Sequence, residues 1–194
     1  MNIETPAIRI NLGAGHDIQQ SFTNLDILPL PGIDVVHNLN NYPWPFEDQS
    51  ASEIRAIDVI EHMPNFTHDD RPGVIAFVEE CWRILEPGGL LFIQTPGVNA
   101  AFAWTDPTHV RTFTRDSFDF FDPTTDFGKA TGFYSYCTFK VDTIELENGN
   151  LQARMVKLLD NLPEGMYYYI GDGDGYHGAS GLEILKAAAE GKDD

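Results

Sequence analysis

The length of 194 residues suits a single domain, and 42% hydrophobic with 22% charged residues is typical of a globular protein. The 30 acidic and 12 basic residues give a formal net charge of -18, which repels phosphate backbones and anionic lipid headgroups. The sequence has neither a run of the ~20 apolar residues that span a bilayer nor a basic and apolar leader at its N-terminus. We therefore expect no nucleic-acid partner and no membrane association.

The two cysteines, Cys81 and Cys137, lie within apolar patterns. We expect buried thiols rather than a disulfide or a metal-binding pair. Free thiols are typical of a reducing compartment, so the sequence predicts a cytoplasmic protein. The Gly-Asp repeat at 171–175 resembles part of a calcium-binding loop. His177, however, stands at the position where such a loop needs a glycine for its turn. No metal site is predicted.

Four strands are predicted in the first third of the chain, over residues 7–12, 22–27, 33–37 and 53–60, with a loop at 38–52. The fourth is mostly apolar, which is typical of a central strand. Only ten residues separate Gly15 from Asp26, and a Pro/Gly segment joins the second and third strands. The first two crossover helices are therefore expected to be very short or absent, which leaves one face of the sheet thinly covered. Burial of that face in a homodimer is one expectation.

The clearest helix is predicted over residues 72–85, followed by a turn at Pro87-Gly88-Gly89. Its apolar residues form one stripe, with Glu79, Glu80 and Arg83 lying off it. The stripe consists of Val74, Val78, Cys81, Trp82 and Leu85.

A strand at 90–95, a loop at 96–115 and a short helix at 115–121 are predicted next. Two alternating segments, 134–146 and 151–160, flank Asn148-Gly149 and predict an antiparallel hairpin. The sequence thus indicates an α/β domain over residues 1–160, with a mostly parallel sheet, and a Gly/Tyr-rich extension of the same domain over 161–194.

Gly13-Ala14-Gly15 follows the first strand, and Asp26 ends the second. Glycines after a strand allow a nucleotide to approach the backbone, and an acid at the second strand accepts hydrogen bonds from ribose hydroxyls. Ile18 takes the place of the third glycine of the dinucleotide fingerprint, which disfavours NAD. A plain turn is the alternative interpretation of the glycines.

Six short motifs follow in chain order, and together they resemble the class I S-adenosylmethionine (SAM) dependent methyltransferases over roughly residues 8–120. The likeness is greatest to a small branch with a PWPF loop and a V-x-E-H strand end. The motifs are LGAG at 12–15, NLD at 24–26, VHNL at 36–39, PWPF at 43–46, VIEHM at 59–63 and RILEPGG at 83–89.

The resemblance implies a Rossmann-like sheet and a SAM cofactor that becomes S-adenosylhomocysteine. It assigns Gly13, Ala14 and Gly15 to the methionine part of SAM and Asp26 to the ribose. The adenine would meet Asn38-Leu39, where the family has an acid in place of the asparagine; an amide oxygen can still accept from the adenine amino group. Further residues at the same strand ends complete the predicted cofactor site: Asn11, Ile27, Ile57 and Asp58.

A second cluster, Asp106-Pro107-Thr108-His109, follows the fifth strand and resembles a loop over the reacting end of the pocket in the same branch. His109 and His62 are the catalytic candidates, since histidine changes charge near neutral pH. Trp104, Asp106 and Arg111 are the predicted substrate-binding residues. For Asp106 and Thr108 the alternative is local turn hydrogen bonding, and for His62 a core or helix-capping role.

The sequence therefore predicts methyl transfer from SAM to the oxygen or nitrogen of a small molecule, sugar or peptide. Nearby acids would favour a protonated His109, which suits binding an anionic group rather than acting as a base. Two other functions stay open. One is a catalytically silent protein of the same fold that binds a ligand or partner, and the other is a sheet protein that binds NAD or ATP.

Overall fold

The computed structural model describes residues 7–158. Seven strands form one sheet in the order β3-β2-β1-β4-β5-β7-β6. The first five are parallel, and β7 lies antiparallel to both β5 and β6. The strands are β1 Ile8–Leu12, β2 Thr23–Asp26, β3 Val35–Val36, β4 Ala51–Ile57, β5 Leu85–Pro96, β6 Phe139–Glu145 and β7 Asn150–Lys157. The predicted α/β class, parallel sheet and antiparallel hairpin are confirmed.

Helices are few and short among the described residues. They are α1 Gly73–Ile84, α2 Phe102–Thr105 and α3 Asp126–Thr131, with 3₁₀ helices at Ile60–His62 and Arg115–Phe121. None of the helices within residues 7–158 combines the length and apolarity needed to cross a bilayer. Helix α2 lies within the predicted loop, and α3 lies in a segment for which no element was predicted.

The predicted loss of the first two crossover helices is confirmed, since no helix lies between β1 and β3. The two faces of the sheet therefore differ in how deeply they are buried. Ala56, Ile93 and Ala153 lie side by side across β4, β5 and β7, fully buried in the core with α1. On the other face, Arg55 and its β5 neighbour Phe92 stay half-buried. The homodimer that would cover this face stays a prediction.

Helix α1 begins after Pro72 and ends at Ile84, before the predicted Pro-Gly-Gly stop, because Leu85 already pairs with Ala51 of β4. Glu79 and Glu80 lie off the predicted apolar stripe, yet both are buried.

Hydrogen-bond partners, both on α1 and from other segments, compensate the two carboxylates. Glu80 accepts hydrogen bonds from the Trp44 amide at 2.6 Å and from Arg83 at 2.7 Å. Glu79 accepts one from the Ser135 hydroxyl at 3.1 Å. Buried charges are retained when paired in this way.

Several predicted boundaries differ from the structure. Strand β4 ends at Ile57 rather than residue 60, because Asp58 adopts a left-handed conformation with φ of 52°. Strand β3 shrinks to two residues, and β6 begins only at Phe139. Cys81 and Cys137 are buried free thiols, as predicted. The predictions for the segment 159–194, including the Gly-Asp repeat, lie outside the described residues.

Candidate functional site

The glycine loop and the acid of β2 meet at the carboxyl edge of the parallel strands. Both Gly13 and Gly15 have positive φ, 59° and 50°, which is the region that favours glycine. The Gly15 amide donates to Asp26 Oδ2 at 2.8 Å, and Leu28 donates to Asp26 Oδ1 at 2.9 Å. A Cβ at Gly15 would have no neighbour within 4 Å. The loop is therefore open on one side and held to Asp26 on the other.

The other predicted cofactor residues lie at neighbouring strand ends. Ile27 is exposed, and Leu39 packs against the core. Asn38 Oδ1 accepts a hydrogen bond from the Asn40 amide at 3.0 Å. Ile57 is half-buried, and exposed Asp58 follows it.

Asn11 is buried, in contrast. Its side-chain amide donates to the Asp17 carbonyl at 2.8 Å and to Asn24 Oδ1 at 3.0 Å. These contacts hold the segment after the glycine loop against β1 and β2. Cofactor contact by any of these residues stays a prediction.

Three side chains, Glu61, His62 and His109, converge at the same edge, and we call them the Glu-His-His cluster. Glu61 and His62 belong to the 3₁₀ helix after β4, whereas His109 lies in the segment after β5. The Val110 amide donates to the Glu61 carbonyl at 2.8 Å and joins the two segments. The imidazole centroids of His62 and His109 are 4.8 Å apart, and His109 Nε2 lies 4.0 Å from Glu61 Oε1.

Each member of the cluster has a partner that orients it. Glu61 Oε2 accepts a hydrogen bond from Thr95 Oγ1 at 2.9 Å. The Nδ1 of His109 lies 3.4 Å from the Ala103 carbonyl. The Nδ1 of His62 lies 3.3 Å from the Thr108 carbonyl. A carbonyl only accepts, and the Thr108 hydroxyl that also lies 3.1 Å from His62 Nδ1 donates its own hydrogen to Asp106. Each Nδ1 therefore carries a hydrogen, and in the neutral form of each ring Nε2 has the lone pair.

Acidic groups surround the two histidines. Burial raises the pKa of Glu61, against the lowering effect of the Thr95 hydrogen bond. Burial also raises the pKa of Asp58, and the nearby His109 and His62 partly offset this. Hydrogen bonds from Thr108 lower the pKa of Asp106, whose Oδ2 lies 3.9 Å from His109 Nε2. The site is therefore rich in carboxylates.

The predicted substrate residues flank this cluster. The half-buried Arg111 donates to Asn65 Oδ1 at 3.3 Å, and its Nε has no hydrogen-bond partner. Burial lowers the pKa of Arg111. Trp104 is 68% exposed, although its Nε1 donates to the Val98 carbonyl at 3.0 Å. Asp106 accepts from the Thr108 amide at 2.8 Å, so the local turn bonding considered for it is present.

From the sequence, Glu61 is expected only as one of the acids near the two histidines, and no role is predicted for Thr95 or Ala103. The VIEH motif contains Glu61, but a glutamate after an apolar strand is usually expected to face solvent. Only its burial, at 1% exposure, marks it as unusual. Nothing in the sequence links Thr95 to Glu61, because 34 positions separate them.

The strand order, the glycine loop after β1 and the acid at the end of β2 define a Rossmann-like sheet. No family model and no curated protein matches the chain. Solved structures do match.

A SAM-dependent methyltransferase from Archaeoglobus fulgidus superposes with a TM-score of 0.54 at 11% identity, over 78% of this chain and 86% of that one. A second match is a protein from Haloferax volcanii that is described as a methyltransferase and was solved in complex with the Trm112 methyltransferase activator. Its TM-score is 0.52 at 14% identity, over 82% of this chain and 85% of that one. A SAM-dependent methyltransferase from Thermotoga maritima, described as a possible histamine N-methyltransferase, has a TM-score of 0.50 at 15% identity, over 80% of this chain and 84% of that one. The chain thus has the fold of the SAM-dependent methyltransferases.

Proposed function

We propose that this protein is a SAM-dependent methyltransferase, with SAM held at the Gly13–Gly15 loop and Asp26. The hydrogen bond from the Gly15 amide to Asp26 carries the proposal. It places a backbone loop with open space beside a carboxylate, which suits the methionine and ribose parts of one ligand. The fold supports the same cofactor, since two of the matching solved structures are described as SAM-dependent methyltransferases.

The Glu-His-His cluster is proposed as the acceptor end of the pocket. SAM supplies the electrophilic methyl group, so the protein has to align a nucleophile and remove its proton. His109 Nε2 faces Glu61 and Asp106, and in the neutral imidazole this nitrogen has a lone pair. An acceptor hydroxyl or ammonium can pass its proton to that nitrogen, and the carboxylates stabilise the resulting imidazolium.

Arg111 and Trp104 favour an acceptor that has both an anionic group and an apolar part. Arg111 forms no ion pair with the carboxylates of residues 7–158. A half-buried guanidinium without a carboxylate partner suits a carboxylate or phosphate ligand. Trp104 and Phe102 are exposed and offer an aromatic surface. A small molecule, a sugar derivative or a peptide group with such an anion would fit.

A thermal-shift panel of SAM, S-adenosylhomocysteine, NAD and ATP tests the cofactor. A ligand at 100 times its dissociation constant stabilises the native state by about 2.7 kcal/mol, which corresponds to a rise in Tm of about 5–10 °C for a domain of this size. We expect this rise with SAM and S-adenosylhomocysteine only. A rise with NAD or ATP alone, or with none of the four at millimolar concentration, would contradict the cofactor assignment.

Replacement of Asp26 tests the ribose contact. We expect Asp26→Ala to weaken SAM binding by roughly 1–3 kcal/mol, the usual effect of losing a charge-assisted hydrogen bond. Isothermal titration of folded variants measures it. Asp142→Ala is the matched control, because it removes the same charge from an exposed position on β6, five strands away from β2. Equal SAM affinity in both variants would mean that the ribose is held elsewhere.

The alternative is a silent protein of this fold that binds a ligand without transferring a methyl group. It is favoured by Asn38, whose side-chain oxygen already accepts the Asn40 amide, and by the missing crossover helices. Release of S-adenosylhomocysteine from SAM in the presence of mixed acceptors separates the two functions. Binding of SAM without any release, for every acceptor class tried, would support the silent protein.

A further inference from the structure

We propose that Glu61, His62 and His109 form a binding site for one divalent transition-metal ion of the Zn²⁺ type. One ligand atom from each of the three residues lies within 4.8 Å of the other two. Two imidazoles and one carboxylate are the protein ligands of catalytic zinc sites, which keep a further position for water or substrate. Zinc bonds of about 2.0–2.2 Å place ligand atoms roughly 3.4 Å apart. The three side chains would therefore close slightly around the ion.

The Glu61 carboxylate is an independent indication of a missing ligand. The residue is 1% exposed, and its Oε1 has no hydrogen-bond partner. Buried carboxylate oxygens are expensive unless a donor or a cation satisfies them. His109 Nε2 faces this oxygen, but the two atoms are 4.0 Å apart, which is beyond hydrogen-bond distance. A metal ion between the two atoms would accept electron pairs from both.

The outer contacts of the cluster are those of a metal site. Metal-binding histidines donate their other ring N–H to a carbonyl or carboxylate, and their ligating carboxylates are themselves hydrogen-bonded. His109 and His62 meet the first condition through the Ala103 and Thr108 carbonyls. Glu61 meets the second through the Thr95 hydroxyl, which is fully buried. All three side chains are thus oriented before any ion arrives.

The surrounding charge also favours a cation. Asp106 Oδ2 lies 3.9 Å from His109 Nε2, and Asp58 interacts electrostatically with both histidines. With Glu61, three carboxylic acids therefore surround two imidazoles. A divalent ion would neutralise this excess, and a hydroxyl bound at its open position would lose its proton more easily. With an ion bound, His109 is a ligand; without one, it is the base proposed above.

The test uses the full chain, free of any affinity tag and stripped of metal by a chelator. Zn²⁺ is titrated by calorimetry, and Co²⁺ by the absorption bands that appear when it is bound. We expect one ion per chain. His62→Ala and His109→Ala should each weaken binding by at least about 100-fold, more than the 10–100-fold typical of an outer-contact change. Thr95→Val, which keeps the shape and removes the hydroxyl, should weaken it by about 10–100-fold.

His68→Ala is the matched control, because it removes an exposed histidine outside the cluster, and its affinity should equal that of the wild type. Glu61→Gln is a further, near-isosteric variant. If this variant of a buried residue fails to fold, the test still rests on His62→Ala, because His62 is only half-buried. No binding by the wild type at about 0.1 mM Zn²⁺, or equal losses in His68→Ala and His109→Ala, would overturn the proposal.

The metal proposal can fail separately from the proposed methyltransferase function. Metal titrations need no SAM, and the SAM titrations above are run on metal-free protein. If the protein binds SAM but no metal ion, only the metal proposal is wrong. Metal binding without SAM binding would remove the cofactor assignment and leave the metal site.

Discussion

His109→Ala should lower the rate of methyl transfer by about 10²–10⁴-fold, the usual contribution of a positioned acid or base, while SAM affinity stays nearly unchanged. The imidazole side chain is 8% exposed, and its Nε2 lies between Glu61 at 4.0 Å and Asp106 at 3.9 Å. The glycine loop and Asp26, which we propose to hold SAM, have their own contacts and do not depend on this ring. Single-turnover transfer, with SAM binding measured in parallel, separates the two effects.

Two further variants distinguish chemistry from packing. In His109→Asn the amide nitrogen can replace Nδ1 as the donor to the Ala103 carbonyl, but no group remains at the Nε2 position. We expect this variant to keep the wild-type Tm and to lose activity nearly as fully as His109→Ala. His68→Ala, at an exposed position, should keep full activity. Full activity in His109→Asn would mean that the ring serves only to hold the loop.

Asp122→Ala should lower the free energy of unfolding by about 2–5 kcal/mol, because each buried donor that is left without its acceptor costs about 1–3 kcal/mol. Asp122 is fully buried. Its Oδ1 accepts from the Thr124 amide at 2.8 Å and hydroxyl at 2.7 Å, and its Oδ2 accepts from the Val141 amide at 3.0 Å and Lys140 at 3.1 Å. Alanine would leave two backbone amides without acceptors and detach the segment after β5 from β6.

The same carboxylate gives this loss a pH dependence. Burial acts to raise the pKa of Asp122, but hydrogen bonds from Thr124, Val141 and Lys140 outweigh it and lower the pKa. The unfolded chain, with a carboxyl pKa of about 3.9, therefore takes up the proton first as the pH falls. The stabilisation is fully present above that value and is lost as the pH drops through the folded-state pKa.

Urea unfolding of the wild type and Asp122→Ala from neutral pH to about pH 3 measures this dependence. The difference between the two proteins should shrink at the acidic end. Asp142→Ala controls for the removal of one negative charge, because Asp142 is exposed and lies on β6, the strand that Asp122 contacts. A constant difference across this pH range would mean that the loss arises from packing rather than from the ionised carboxylate.

Local sequence patterns are enough to predict the strands of the sheet and the glycine loop. Both depend on short-range patterns: apolar runs that form strands, an Asn-Gly turn that closes the hairpin, and glycines that tolerate positive φ. The short intervals between Gly15 and Asp26 and before β3 also excluded ordinary crossover helices, and the structure confirms their absence. Contiguous residues carry all of this information.

Tertiary structure alone decided which polar groups are buried and which side chains meet. The amphipathic period of α1 places Glu79 and Glu80 off the apolar stripe. Ser135 and Trp44 from elsewhere in the chain, together with Arg83 on the same helix, nevertheless permit their burial. Likewise, Glu61 and His109 meet because the segment after β5 folds back and bonds to the 3₁₀ helix after β4. Such contacts depend on packing between distant segments, which local propensity does not encode.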